Sequence, residues 1–142
     1  ALPLLHRSSG PAWVALAIAV TFANDTAAYF VGRAWGRHKL APALSPGKTV
    51  EGGVGGFAAG LTVTFVAGWA FMPELSIGDC VAIGLVSGVV GPAGDLVESL
   101  IKRAAGVKDA GRSIPGHGGV LDRIDALLFV GAYVYLHVNL FR

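Results

Sequence analysis

Three aspartates, Asp95, Asp122 and Asp125, lie among a run of basic residues, and together they define the chemistry open to this chain. Asp122 and Asp125 are three apart and share one face if a helix starts there, and Asp95 and Glu98 have the same spacing. Paired carboxylates without a Cys or His cluster suit a hard cation. Mg²⁺ accepts a few carboxylates, keeps several waters and takes phosphate oxygens from a substrate. Lys102, Arg103, Lys108 and Arg123 fall in the same stretch, and such cations neutralise a polyphosphate. Residue types and spacing therefore point to metal-assisted phosphoryl or nucleotidyl transfer. The plainer alternative makes Asp122–Arg123 and Lys108–Asp109 surface ion pairs that cap helices.

Two glycine-containing loops add donors. In Ser45-Pro-Gly-Lys48-Thr49, the segment Gly47-Lys48-Thr49 offers backbone N–H groups, an ammonium and a hydroxyl, a set that suits phosphate. It is not a P-loop, because Pro42 stands where the first glycine of that motif belongs. Pro115-Gly-His117-Gly-Gly119 is a turn of little bulk that lets a substrate approach the backbone, with His117 as a hydrogen-bonding group. Gly53 to Ala58 superficially fits a dinucleotide fingerprint, but no strand precedes it and it enters an apolar run. His6, His38 and His137 have no evident partners and receive no role.

The elements that must position these groups are membrane helices. The 142 residues are 54% hydrophobic and 14% charged, against about 25% charged in an ordinary soluble domain. Apolar runs at residues 13–32, 54–72, 77–94 and 124–141 each approach the ~20 residues of a membrane-crossing helix. Helix is the conformation that satisfies backbone polar groups in lipid. The expected fold is thus all-α, a polytopic integral membrane protein of about four transmembrane helices with cytoplasmic loops. An additional interfacial helix is expected from Gly94 to Gly106. Arg33, Arg37, Lys39 and Lys48 lie between spans one and two. Lys102, Arg103, Lys108, Arg112 and Arg123 lie between spans three and four, which together makes nine of the eleven basic residues. Both loops therefore face the cytoplasm, and topology brings them to one leaflet. Asp25 sits about 10 Å inside that end of span one, where an acid faces a protein interior or a wet cavity. Glycines spaced by four, at 52, 56 and 60 and at 84 and 88, allow close helix packing and are compatible with a homodimer. The single cysteine, Cys80, excludes a disulfide framework and a cysteine-based zinc site. The first residue is Ala1, and the chain is read as the C-terminal part of a longer protein.

The whole 27-residue block from Ser99 to Asp125 resembles the signature of the phosphatidate cytidylyltransferase (CDP-diacylglycerol synthase) family. It does so in Ser99-Leu-Ile-Lys102-Arg103, Lys108-Asp109, Pro115-Gly-His117-Gly118-Gly119 and Asp122-Arg123-Ile-Asp125. Asn24-Asp25 through Tyr29, Gly32-Arg33 and Gly36 also look like that family, as do Ser45 through Gly52 and Gly94-Asp95 through Ser99. The resemblance implies that residues 1–142 are the C-terminal catalytic membrane domain of a longer cytidylyltransferase. It implies the reaction CTP + phosphatidate → CDP-diacylglycerol + pyrophosphate, dependent on Mg²⁺, with a second cation as an option. It further implies a multi-pass protein of a bacterial-type inner (plasma) membrane, with its site on the cytoplasmic side and no nucleic-acid partner. Asp95, Asp122 and Asp125 would hold the metal. Lys48, Lys102, Arg103, Lys108 and Arg123 would hold the CTP phosphates or the phosphatidate headgroup. Ser45, Thr49 and His117 would add hydrogen bonds, with Asp109 and Asp25 lining the substrate cavity. Two rivals stand beside this reading: a CTP-dependent transferase for another lipid phosphate, such as a CDP-archaeol synthase, and a membrane transporter using Asp25 and Asp95.

Overall fold

The computed structural model describes residues 2–4, 10–42, 45–104 and 121–141; the side chains at 95, 98, 99, 102, 103 and 121–125 lie outside that description. Four long helices dominate: α1 (Pro11–Trp35), α2 (Val50–Ala70), α3 (Ile77–Ala104) and α4 (Leu121–Phe141). Two short strands, β1 (Lys39–Ala41) and β2 (Ser45–Thr49), form an antiparallel hairpin between α1 and α2, with Lys39 opposite Thr49 and Ala41 opposite Ser45. α1, α2 and the part of α3 from Ile77 to Gly94 are each long and apolar enough to cross a membrane, and Ala126–Phe141 is a shorter apolar helix. The chain is an all-α polytopic membrane protein to which a small hairpin has been added.

Local chemistry sets the helix limits. Pro11 opens α1, where a missing N–H costs nothing. At 25 residues α1 is about 37 Å long, more than the ~30 Å hydrocarbon thickness. Thr49 caps α2, its Oγ1 accepting the Gly52 N–H at 3.1 Å. A capping box opens α3: Asp79 accepts from the Ser76 N–H at 3.0 Å, and the Asp79 N–H donates back to Ser76 Oγ at 3.1 Å. α3 runs unbroken for 28 residues through Pro92. The separate interfacial helix expected from Gly94 is therefore a continuation of the third span. Leu96, Leu100 and Ile101 carry good helix propensity across the boundary, and Gly94 alone does not end the helix.

The core divides into two regimes. Towards the turn at residues 71–76 it is a conventional apolar cluster, with Trp13, Leu16, Val20, Met72, Leu75, Ile83, Val130 and Val134 buried. There Thr64 Oγ1 reaches the Cys80 carbonyl at 2.9 Å, and Cys80 Sγ donates to the Thr64 carbonyl at 3.4 Å, tying α2 to α3. Towards the hairpin, close backbone approach replaces bulk. A methyl carbon on Gly52 would stand 2.6 Å from the Ala28 carbonyl oxygen, and one on Gly56 would collide with the Asn24 carboxamide. Phe22, Phe65, Trp69 and Phe71 point outward, as expected of a lipid-facing surface.

Candidate functional site at the hairpin end of the bundle

The chain reverses direction at each connection, so α1 ends, α2 begins, α3 ends and α4 begins at the same end of the bundle. Direct contacts join these ends. A methyl carbon on Gly32 of α1 would stand 2.8 Å from Thr49 Oγ1, so the end of β2 is seated against α1 without intervening side chains. Thr49 is buried, and its hydroxyl oxygen is engaged as the α2 cap. Glu51, in the first turn of α2, gathers the entry to the hairpin. Its carboxylate accepts the Arg37 N–H at 3.1 Å and the His38 N–H at 3.2 Å, and pairs with His38 Nδ1 at 2.6 Å. His38, to which sequence assigned no partner, is thus a member of the hairpin anchor. Neighbouring α2 N–H dipoles favour an acid at this position.

Lys48 is the link from the hairpin to α3. Its Nζ donates to the Pro92 carbonyl at 3.5 Å, across 44 residues of sequence. Asp95 follows Pro92 by three positions on the same helix, so a hairpin cation is held one turn from the α3 acid. On the other side of α3, Phe129 of α4 lies against Gly94. A methyl carbon there would stand 2.5, 3.0 and 3.2 Å from three atoms of the ring. Asp125 precedes Phe129 by four positions and so shares its face of α4, with Asp122 one turn further out. The fold therefore brings together the helix positions of Asp95, Asp122 and Asp125, and it sets Lys48 beside the first of them. The side chains of Asp95, Asp122, Asp125, Lys102, Arg103 and Arg123 lie outside the described residues, as do Lys108, Asp109 and His117 entirely. Ser45 is half-buried at the start of β2 opposite Ala41, and Asp25 occupies an exposed position on α1, two turns below Gly32.

Asn24 was missed as a structural member of this end. It is buried to 2% exposure between Gly56 of α2 and Gly91 of α3. Its Oδ1 and the Ser87 Oγ have no hydrogen-bond partner among the described residues. In the sequence Asn24 is marked only as a carboxamide inside an apolar run, next to Asp25. Among the described residues, this end of the bundle presents the Lys48 ammonium held at the Pro92 carbonyl, a cation of the kind that suits a phosphate-rich substrate. Among the described residues no group of three or more His, Cys, Asp or Glu side chains stands ready for a metal.

Comparison with known proteins gives the family. The model of the cytidylyltransferase family matches residues 2–141. The chain is 44% identical over 124 residues to a phosphatidate cytidylyltransferase of Staphylococcus haemolyticus, covering 87% of this chain and 48% of the relative. It is 40% identical over 138 residues to the uncharacterized protein YnbB of Escherichia coli K12, covering 97% of this chain and 46% of that one. The chain thus spans about half the length of the curated relatives it matches. Among solved structures it is similar to an intramembrane enzyme for archaeal membrane lipids biosynthesis, with a TM-score of 0.58, 25% identity, and coverage of 85% of this chain and 77% of that one. Nearly every residue falls within one family pattern: the chain belongs to the cytidylyltransferase family.

Proposed function

We propose that this chain carries the catalytic end of a phosphatidate cytidylyltransferase, which transfers the cytidylyl group of CTP to phosphatidate and releases pyrophosphate. The observation that carries the reading is the convergence of the Lys48–Pro92 and Gly94–Phe129 contacts on α3, in the turn that leads into Asp95. Phosphatidate already presents an anionic phosphate oxygen, so no strong general base is needed. The difficulty is bringing two anions into line, and positioning with charge neutralisation supplies most of the rate. Asp95, Asp122 and Asp125 are an all-oxygen donor set of the kind Mg²⁺ prefers, and a bound Mg²⁺, with or without a second cation, would offset charge on the CTP phosphates. Lys48, Lys102, Arg103, Lys108 and Arg123 would bind the CTP phosphates or the lipid headgroup. Thr49 would act through the cap that fixes the hairpin, Ser45 and His117 through hydrogen bonds, and Asp109 and Asp25 as polar walls. The acyl chains would remain in the bilayer, with the site at the cytoplasmic face of the plasma membrane, the side that the basic loops favour. The named bacterial relatives favour phosphatidate over an ether-linked lipid phosphate.

The test is incorporation of radiolabelled CTP into lipid, with phosphatidate or its ether analogue supplied, in the presence and absence of Mg²⁺. Phosphatidate- and Mg²⁺-dependent labelling is expected, and Asp125→Asn should lower it by ~10²-fold or more, the scale of a lost transition-state electrostatic contact. Near-normal turnover of that variant would remove Asp125 from the metal site, and labelling of the ether lipid alone would overturn the substrate.

A further inference from the structure

A second polar cluster lies at the opposite end of the bundle, away from every group assigned above. Asp79 of α3 and His137 of α4 are both nearly buried, with side chains 12% and 7% exposed, and Asp79 Oδ1 lies 2.9 Å from His137 Nε2. The other carboxylate oxygen is occupied by Ser76, accepting its N–H at 3.0 Å and its hydroxyl at 2.9 Å. A carboxylate only accepts, so Nε2 carries a hydrogen and donates it. Tyr133, one turn before His137, donates its hydroxyl to the Ala82 carbonyl of α3 at 3.2 Å and lies 3.5 Å from His137 Nδ1. Phe141 and Tyr133 rings flank the imidazole at 5.4 and 5.8 Å between centroids. Side chains of α4 thus grip α3 at two points, both near the end that bears the capping box.

These are the same two helices whose far ends carry Asp95 and Asp125. We propose that Asp79 and His137 are positioning residues: a clamp that fixes the angle between α3 and α4 and thereby the separation of the acids at the other leaflet. This rests on the transferase reading above. The lever is long. Asp125 is twelve residues from His137, about 18 Å, so a 5° pivot of α4 about the clamp displaces it by ~1.6 Å. Catalytic constellations tolerate about 0.5 Å, and 1 Å of misplacement costs ~10²-fold in rate. Among the described residues, a contact between α3 and α4 towards the site end is Phe129 against Gly94, an apolar one that has no preferred angle of its own. Directional bonds at Asp79 and His137 supply what that contact lacks.

The experiment uses spin labels on cysteines introduced at Leu100 and Leu128, exposed positions on α3 and α4, in a Cys80→Ala background reconstituted in lipid. His137→Leu, which fills the same apolar surroundings without a donor, should shift or broaden the 100–128 distance by about 1.2 Å, the same 5° pivot acting over nine residues, and lower kcat by ~10-fold or more, with the KM for CTP within ~2-fold of the parent. His137→Gln, which restores an N–H near the Nε2 position, should recover the distance and most of kcat. Should the leucine variant fail to accumulate, Asp79→Asn serves as the second probe, since it retains an acceptor for Ser76 and turns an NH₂ toward the His137 donor. An unchanged distance in a folded His137→Leu or Asp79→Asn chain overturns the clamp, whatever happens to kcat. Loss of activity that glutamine does not rescue overturns it too. Absence of CTP incorporation by the parent would defeat only the transferase reading, because the distance measurement still decides the clamp.

Discussion

Gly94→Ala is the substitution on which the candidate site can be tested most sharply. The added methyl carbon would lie 2.5 Å from Cδ2 of Phe129, 3.0 Å from Cγ and 3.2 Å from Cε2. Ordinary carbon–carbon contact needs ~3.5 Å or more, so either the ring or α4 must retreat by about 1 Å. Three ring atoms are met at once, so a small ring rotation does not clear them all. Overpacking of this kind costs about 1–3 kcal/mol, which leaves a membrane bundle folded but shifted. The shift falls one residue from Asp95 and one turn from Asp125, where ~1 Å is worth ~10²-fold in rate. The expected result is normal membrane accumulation with CTP incorporation down ~30- to 100-fold. Phe129→Leu in the same chain should restore roughly a third of parent activity or more, because the shorter side chain vacates the space. Turnover of Gly94→Ala near that of the parent would show that α3 and α4 need not approach here for catalysis. A loss that Phe129→Leu fails to relieve would mean that Gly94 acts through something other than this contact.

Two further substitutions test the hairpin. Lys48→Ala should raise the CTP concentration for half-maximal rate by ~10-fold or more, the size of a lost charge-assisted hydrogen bond, while phosphatidate dependence stays near that of the parent; a change confined to phosphatidate dependence would reassign the hairpin to the lipid. Thr49→Val removes the α2 cap and should lower thermal stability by about 1 kcal/mol, with Thr49→Ser retaining it; equal melting temperatures for the two variants in detergent would show that the Gly52 N–H finds another acceptor.

The four apolar runs were legible in the sequence because a bilayer imposes one length and one backbone solution on any segment that crosses it. The expectation that both basic stretches share one side of the membrane came from where Arg33 to Lys48 and Lys102 to Arg123 fall, since cations resist transfer across the membrane. The acids and lysine became candidates for a related reason: charge near an apolar run has few inexpensive explanations. Tertiary structure decided the rest, because contacts between residues far apart in the chain leave no local signature. Thr49 reads as a phosphate ligand in isolation, yet it caps α2 and seats β2 against Gly32. Lys48 reaches Pro92 and Asp79 reaches His137, 44 and 58 residues away. Glu51 and His38 find one another only because the hairpin folds back on α2. Composition and charge order thus determined the helices and marked one end of them as the place to look for chemistry, while the distances between those ends came from glycine-sized gaps and a few cross-helix bonds that only the packed bundle creates.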